Sequence, residues 1–323
     1  MHLTRRAFLG TSAAFALCGP AAAQAWPDRP IRLIVPFPPG GGTDVISRQL
    51  AERVGANTRW TIVIENRAGA GGTLGLDAVA KAPPDGYTIG MGQASNLTVN
   101  PSLYPKMPYE SLRDFAPISL VATQPLLIVV SAKSAFRSVG DMITAGKAKA
   151  DAVSIAHPGN GTIGHLTGEM LARRTGVKFL IVPYKGVATA ITDLLGGQVD
   201  AVVANPLAAM SLINAGNLRA VAVTSLARMK ALPDVPTIAE SGLPGFEAVN
   251  WTGLVAPART PDAIVARLNA ETAEALRRPE MIERLAVDGS EPLVSTPAQF
   301  ADLMRAEQVK WAAIIREAGI KLD

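Results

Sequence analysis

The residues best suited to chemistry are glycines that directly follow apolar, strand-like segments. The stretch VPFPPGGGTD occupies positions 35–44, after the apolar run 31–34 and before a helix-like segment. Glycines at such a junction let backbone N–H groups approach an anion, and the positive end of the helix dipole favours the same charge. This loop therefore predicts an anion site, with tight turning of the chain as the alternative role of its glycines.

A second loop has the same plan. The stretch HPGNGTIGHL occupies positions 157–166, and in both loops a threonine precedes about a dozen helix-like residues that end at glycine. Positions 159–164 also fit the dinucleotide pattern G-x-G-x-x-G, but the acidic residue expected about twenty positions later is missing. Two such helix starts facing each other across a cleft would hold one anion from both sides.

Motifs for catalysis or metal binding are missing from the sequence. No glycine loop is followed by Lys-Ser or Lys-Thr, no G-x-S-x-G occurs, and the three histidines have no H-E-x-x-H spacing. We therefore predict no metal site and no cofactor, and binding is favoured over catalysis. An exported enzyme acting on a small acid or ester stays open as the alternative.

The first 25 residues predict an export signal. They contain the twin-arginine pair Arg5-Arg6, an alanine-rich apolar stretch and the small-residue sequence Ala23-Gln24-Ala25, which together are typical of a cleaved signal peptide. The single cysteine, Cys18, lies in this segment, and a lipid anchor there is the alternative that the preceding Leu17 disfavours. We expect the mature protein to lie in the periplasm.

Length and composition are those of a globular protein with two domains. The chain has 323 residues, 48% of them hydrophobic and 18% charged, which is enough to bury two cores. Without residues 1–25, which contain two arginines and no acid, 29 basic residues face 27 acidic ones, a formal net charge of +2. There is no basic tract interleaved with aromatic residues, so nucleic acid is not expected as a partner, and a monomer is expected.

Strand-like and helix-like segments alternate after residue 28, which predicts α/β architecture with largely parallel strands. Predicted strands lie near 31–35, 62–64, 87–92, 126–130, 153–156, 179–182, 201–204, 218–224 and 251–257. A proline-rich stretch over 100–117 interrupts this alternation, and two amphipathic helices near 262–277 and 297–318 close the chain.

Six segments carry a family resemblance and occur in order: WPDRPIRLIVPFPPGGGTDVISRQLAERV, VIENRAGAGGTLGLDAVAKAPPDGYTI, HPGNGTIGHLTGEMLARRTGVKFLIVPYKG, DLLGGQVDAVVAN, LRAVAVTSLARMKALPDVPTIAESGLPGFE and WTGLVAPARTP. Together they resemble the Bug family, the TctC-like periplasmic solute receptors of tripartite tricarboxylate transporters. The resemblance implies a two-domain periplasmic binding protein of the Venus flytrap type, with a cleft between two central, mostly parallel sheets flanked by helices. We expect one domain over 28–125 plus 252–323 and the other over 126–251.

The resemblance implies ligand-binding residues in both domains. In the first domain they are Pro38, Pro39, Gly40, Gly41, Gly42, Thr43, Asp44, Ala94, Ser95 and Asn96, and in the second Gly159, Gly161, Thr162, His165, Tyr184, Lys185, Gly186 and Asn205. Simpler roles remain open for several of them: Asp44 and His165 at helix starts, Ser95 and Asn96 as loop caps, and Lys185 in solvent. Many relatives carry an aspartate where this chain has Ala204-Asn205, which leaves the identity of the ligand open.

The function that the resemblance implies is capture of a small organic carboxylate, held largely by backbone N–H groups and ordered waters. The ligand would then pass to the integral-membrane permease subunits of the transporter. A receptor that signals through a sensor partner is a further alternative, and sequence reasoning does not separate it from transport.

Overall fold

The computed structural model describes residues 26–287 and 289–320. Within them the strands are β1 (Ile31–Val35), β2 (Ile62–Asn66), β3 (Thr88–Gln93), β4 (Phe115–Pro125), β5 (Leu127–Ser131), β6 (Ser154–His157), β7 (Leu180–Pro183), β8 (Ala201–Ala204), β9 (Leu218–Val223), β10 (Val249–Pro257) and β11 (Glu291–Pro292). The predicted export segment, residues 1–25, lies outside the described residues.

The helices are α1 (Gly42–Thr58), α2 (Thr73–Ala80), α3 (Asn100–Leu103), α4 (Ser111–Asp114), α5 (Val139–Ala148), α6 (Ile163–Thr175), α7 (Val187–Leu195), α8 (Pro206–Asn214), α9 (Asp262–Leu276), α10 (Pro279–Val287) and α11 (Pro297–Ala318). A 3-10 turn over Ala70–Gly72 precedes α2, and a π-helical segment over Ser95–Val99 follows β3. In the part of the chain that the structure describes, no helix combines the length and the apolar character needed to cross a bilayer.

The strands form two sheets, each flanked by helices, so the predicted α/β fold class is confirmed. The first sheet has the order β11-β4-β10-β3-β1-β2, and the second has the order β7-β6-β8-β5-β9. Parallel pairing joins β2, β1 and β3 in one sheet and β7, β6 and β8 in the other.

The sheets are mixed, which differs from the expectation of mostly parallel strands. β10 runs antiparallel to β3 and β4, and β5 runs antiparallel to β8 and β9. β5 follows β4 after the single residue Leu126, and β10 follows the helix-free segment 224–248, so neither has the crossover helix that a parallel neighbour requires. Their direction therefore follows from where the chain crosses between the sheets, which local sequence patterns do not record.

Strand β4 is among the elements that the sequence-based prediction lacks, which also include β11, α3, α4, α5, α8 and α10. β4 overlaps the proline-rich stretch that we expected to interrupt the fold, and it contains Pro117 and Pro125. Pro117 lies opposite Val255 at a register shift between β4 and β10. Proline is tolerated at such irregularities because the partner strand needs no N–H donor there. A reading of the sequence in which proline excludes a strand therefore missed β4.

The chain crosses between the two sheets at two neighbouring points. β4 leads into β5 through Leu126, whose N–H donates to Thr224 Oγ1 at 2.8 Å and whose carbonyl accepts the Thr224 N–H at 2.9 Å. The Ala248 N–H, just before β10, donates to the Thr224 carbonyl at 3.0 Å. The two crossing segments are thus held side by side at the base of the space between the sheets.

The C-terminal helix α11 packs on elements of both sheets. Its buried residues Phe300, Trp311 and Ile315 belong to the same apolar cluster as Ile34 of β1 and Ile155 of β6. An ion pair between Arg173 of α6 and Glu317 joins its last turn to the second sheet's helices. Burial of this shared cluster stabilises the arrangement in which the two sheets face a common space.

Candidate ligand-binding site

A pocket of about 950 Å³, including its open mouth, lies between the two sheets. Its lining comes from the first sheet's loops, from the crossing segments and from the second sheet's loops: Phe37, Gly42, Thr43, Gly71, Gln93, Ser95, Asn100, Tyr104, then Gln124, Leu126 and Asn250, then Pro158, Asn160, Gly161, Thr162, Ile163, Gly164, Val187, Val203 and Asn205. Both predicted glycine loops therefore reach one pocket.

The topology explains why the loops converge. β1 and β6 are each the middle strand of a parallel trio, and α1 and α6 follow them directly. Carboxyl ends of parallel strands and the N-termini of the following helices meet at one edge of a sheet, which is where open α/β sheets bind ligands. The pocket joins that edge of one sheet to the same edge of the other.

Four helices begin at the pocket wall. α1 starts at Gly42, α6 at Ile163, α7 at Val187, and α8 follows its N-cap Asn205. The first N–H groups of a helix have no partner within it, and the helix dipole adds positive potential there. The pocket therefore combines positive potential from several directions with free N–H donors.

Among the described residues that line the pocket, none is Asp, Glu, Lys, Arg or His. The polar lining consists of side-chain amides at positions 93, 100, 124, 160, 205 and 250 and hydroxyls at 43, 95, 104 and 162. An anion bound here would be held by neutral dipoles, which solvate a charge without introducing a counter-charge.

The wall on the first sheet is ordered by its own hydrogen bonds. Gln93 Nε2 donates to Thr43 Oγ1, and Ser95 Oγ donates to Gln93 Oε1 at 3.4 Å. Gln124 Nε2 donates to Ser290 Oγ at 2.8 Å. These bonds limit the rotamers of the amides, so their polar atoms are positioned before any ligand arrives.

Two further amides of the pocket wall, Asn205 beside the second sheet and Asn250 on β10 of the first sheet, differ in their hydrogen bonding. Asn205 Oδ1 accepts the Ala208 N–H at 3.0 Å as the N-cap of α8, which leaves its Nδ2 as a donor for a bound molecule. Asn250 Oδ1 is buried and has no hydrogen-bond partner within the described residues. A buried acceptor without a donor costs free energy, so a ligand hydroxyl or water that donates to it would recover that cost.

The structure brings six of the eighteen predicted site residues into the lining: Gly42, Thr43, Ser95, Gly161, Thr162 and Asn205. The others lie outside it: Pro38, Pro39, Gly40, Gly41, Asp44, Ala94, Asn96, Gly159, His165, Tyr184, Lys185 and Gly186. Residues 38–41 are exposed and Lys185 is exposed, whereas Asp44, Ala94, Asn96 and His165 are buried.

Asp44 is a buried residue that holds the first glycine loop through hydrogen bonds. Its carboxylate accepts the Gly40 N–H at 2.9 Å, the Arg48 Nε–H at 2.9 Å and the Asn66 Nδ2–H at 2.9 Å. Burial alone would raise the pKa of Asp44, but the hydrogen bonds from Arg48, Gly40 and Asn66 outweigh it and lower the pKa below 3.8. The carboxylate stays ionised and fixes the loop that leads into α1.

The side chains of Asn96 and Tyr184 also form hydrogen bonds with other residues of the protein. Asn96 Oδ1 accepts the Gln93 N–H at 2.8 Å, which caps the end of β3. The Tyr184 hydroxyl donates to Asp193 Oδ2 at 2.7 Å, and this bond to a carboxylate raises the pKa of Tyr184. Both side chains support loops next to the pocket.

Sequence reasoning missed most of the amide side chains. Gln93 stands one position before the predicted Ala94–Asn96 group, so the end of the third strand was a usable signal. Gln124 and Asn250 are directly opposite each other in the register of β4 and β10. No local pattern reveals a pair separated by this much sequence, because only strand pairing brings it together. Within the described residues, no three His, Cys, Asp or Glu side chains are placed to hold a metal ion.

Comparisons with known proteins agree with this geometry. The family model described as "Tripartite tricarboxylate transporter family receptor" matches residues 46–320. Protein BugT of Bordetella pertussis is 41% identical over 325 residues, which cover 100% of each chain. The solved structure of the periplasmic binding protein BugD is 38% identical, with a TM-score of 0.78, and covers 92% of this chain and 99% of its own.

A further solved structure, R. palustris Rpa4515 with adipate, is 35% identical with a TM-score of 0.82 and covers 92% of this chain and 99% of its own. The family model spans well over half of the chain, and the relatives match it almost from end to end. The two sheets and the pocket between them are therefore those of a periplasmic solute-binding protein. The chain belongs to the receptor family of the tripartite tricarboxylate transporters.

Proposed function

We propose that this protein captures a small organic carboxylate in the pocket between its two sheets and delivers it to the permease of a tripartite tricarboxylate transporter. The observation that supports this most strongly is the pocket wall itself. Four helix N-termini reach it, and no described lining residue carries an ionised side chain. Such a wall favours an anion over a cation and over a neutral molecule.

The ligand class follows from this wall together with one relative. Rpa4515 has been solved with adipate, a linear dicarboxylate. In this chain, Gly42 and Thr43 on one side and Gly161 and Thr162 on the other would each face one carboxylate group. We propose that backbone N–H groups, side-chain amides and bridging waters hold the acid.

The capture step is closure of two domains, over 28–125 plus 252–323 and over 126–251. The hinge would lie where the chain crosses between the sheets, beside Leu126 and Ala248. A ligand that contacts both walls binds the closed form better than the open form, and it therefore shifts the population towards closure. The permease would distinguish the closed form from the open one.

The export route is also part of the proposal. We infer that residues 1–25 act as a twin-arginine-type signal that directs the protein to the periplasm and is then removed. Sequencing of the N-terminus of the protein isolated from the periplasm tests this inference. An N-terminus at residue 1 or a protein that stays in the cytoplasm would contradict it.

Thermal unfolding of the purified protein tests ligand capture. A panel of linear dicarboxylates, hydroxy acids, tricarboxylates and aromatic acids, with adipate included, should contain at least one acid that raises Tm by several degrees at 100 times its Kd, equivalent to about 2.7 kcal/mol. The matched diamide of the same acid should have no effect. Equal shifts by acid and diamide, or no shift with any acid, would contradict the proposal.

A substitution at Gly42 tests whether the acid binds in this pocket. A Cβ on Gly42 would lie 3.3 Å from Gln124 Nε2, so Gly42→Val puts a side chain into the space between the walls. We expect at least tenfold weaker binding, whereas the Tm of the free protein should fall by no more than a few degrees as Gln124 shifts. Mass spectrometry of the acid after incubation should find it unchanged, and a converted product would support the enzyme alternative instead.

A further inference from the structure

Two buried histidines lie together beneath the second glycine loop. His157 ends β6 and is 1% exposed, and His165, in the first turn of α6, is 7% exposed. Their rings are stacked, with centroids 4.4 Å apart and planes at 20°. Neither ring belongs to the pocket lining, although the loop above them does.

The ring nitrogens contact the backbone of that loop. The Gly161 N–H donates to His165 Nδ1 at 3.2 Å. His157 Nδ1 lies 3.0 Å from the Gly159 carbonyl oxygen and 3.3 Å from the Gly159 nitrogen. Gly159 and Gly161 have φ of +140° and +77°, so these contacts hold a backbone shape that only glycine adopts readily.

The contact with Gly161 sets the tautomer of His165. A nitrogen that accepts an N–H carries no proton, so the proton of the neutral ring must be on Nε2. That nitrogen lies 3.6 Å from Glu169 Oε1, one helical turn further along α6. Glu169 is thus a charged group beside this pair of rings.

The surroundings of His157 disfavour the positively charged form of its ring. Burial, and then the neighbouring His165, lower the pKa of His157 to about 4. Its Nε2 is buried without a hydrogen-bond partner in the described chain. A second proton on the His157 ring would therefore lie against a stacked ring and have no hydrogen-bond acceptor at Nε2.

We propose that His165 is a positioning residue for ligand capture: its unprotonated Nδ1 holds the Gly161 N–H, and this contact orients the loop that presents the start of α6 to the carboxylate. Without this acceptor the Gly161 N–H would lose its partner, the loop would shift, and carboxylate affinity would fall. The link to affinity rests on the proposed function, whereas the link to loop geometry does not.

Nuclear magnetic resonance of the ligand-free full chain tests the loop geometry. The chain has three histidines, His2, His157 and His165, so single substitutions assign each ring in a long-range ¹H–¹⁵N spectrum. We expect the Nε2–H tautomer for His165 at pH 8. The Gly161 amide should exchange at least tenfold more slowly in the wild type than in His165→Gln. An Nδ1–H tautomer or equal exchange rates would overturn the proposal.

Calorimetric titration with adipate at pH 8, where carboxylic acids of ordinary pKa are ionised, tests the effect on capture. In His165→Asn the amide oxygen can take the place of Nδ1, whereas in His165→Gln the longer side chain reaches the place of Nε2. We expect the Asn variant to bind within threefold of the wild type at pH 8. The Gln variant should bind about tenfold more weakly.

The control is Glu169→Gln, which keeps the side-chain size and leaves the Gly161 contact intact, and it should bind within twofold of the wild type at pH 8. Equal losses in the Asn and Gln variants would overturn the proposal. If adipate fails to bind the wild type, the resonance experiment on the free protein still decides the positioning role of His165.

Discussion

Replacement of Asn205 by aspartate should separate ligand affinity from folding stability. Asn205 has extended backbone, with φ −74° and ψ 153°, and its Oδ1 caps α8 through the Ala208 N–H at 3.0 Å. Aspartate is as good an N-cap as asparagine, and its charge interacts favourably with the helix dipole by about 0.3–1 kcal/mol. The free Asn205→Asp protein should therefore be at least as stable as the wild type.

The same charge should strongly oppose a bound carboxylate. Asn205 lines a pocket in which no described residue is ionised, so the new carboxylate would meet no counter-charge there. Two unit charges about 5 Å apart at an effective dielectric constant of about 20 repel each other by about 3 kcal/mol. That energy corresponds to a Kd about 200 times higher.

Calorimetric titration at pH 7 with the acid that binds most tightly gives the Kd, and urea unfolding of the free protein gives the stability. Asn205→Ser is the matched control, because serine also caps helices but adds no charge, and it should bind within threefold of the wild type. An Asn205→Asp protein that binds within threefold of the wild type would refute an anion site beside α8. A loss of affinity together with a loss of stability would refute the capping argument.

Three further predictions concern stability. Asp44→Asn removes the buried charge that accepts the Gly40 N–H and should lower the free energy of unfolding at pH 7 by about 1–3 kcal/mol. Since the folded-state pKa of Asp44 is below 3.8, the variant should also lose less stability than the wild type as the pH falls below about 4. Because the pKa of His157 is about 4 instead of 6.5, only the unfolded state takes up its proton between these values. The free energy of unfolding should fall by up to about 3 kcal/mol as the pH falls from about 6.5 to about 4. His157→Gln should remove this pH dependence. Gly253→Ala should cost about 1–3 kcal/mol, because a Cβ would lie 2.4 Å from Phe300 Cζ.

Urea unfolding from pH 3 to pH 8 measures all three effects, and exposed positions supply the controls. Asp302→Asn alters an exposed carboxylate and should change stability by less than about 0.5 kcal/mol. Gly140→Ala, in the exposed first turn of α5 with its nearest neighbouring atom 3.5 Å away, should be neutral or slightly stabilising. An Asp44→Asn protein with the acid sensitivity of the wild type, an unchanged pH dependence in His157→Gln, or equal effects of the two glycine substitutions would contradict the respective argument.

Much of each sheet was predictable because the deciding interactions are local. The predicted first strand over 31–35 matches β1 residue for residue, and the segment predicted over 201–204 matches β8. In both loops, glycines, a threonine and an apolar 3.6-residue period occur within about twenty positions, which is enough to indicate a strand, a turn and a helix. The returning strands β4 and β10 were harder, because their register and direction depend on pairing between distant segments.

The residues of the candidate site also differ in how far the sequence alone predicts their roles. Gly42, Thr43, Gly161 and Thr162, which line the pocket, could be predicted from sequence because a glycine loop before a helix is a local signal. Asp44, predicted as a ligand-binding residue, holds the Gly40 N–H from a buried position. A carboxylate in a helix's first turn suits a bound ligand and a loop contact equally well, so spacing alone did not distinguish the two roles.

By itself, the sequence determined that two glycine loops would each begin a helix, since turn and helix propensities act over a few residues. Only the tertiary structure decided that both helix starts share one pocket with α7 and α8, and that its described lining holds no ionised side chain. The stacking of His157 on His165 was decided in the same way, by the packing of α6 on β6. The physical reason is that burial and charge environment depend on residues far apart in the chain, and these become neighbours only when the two sheets pack.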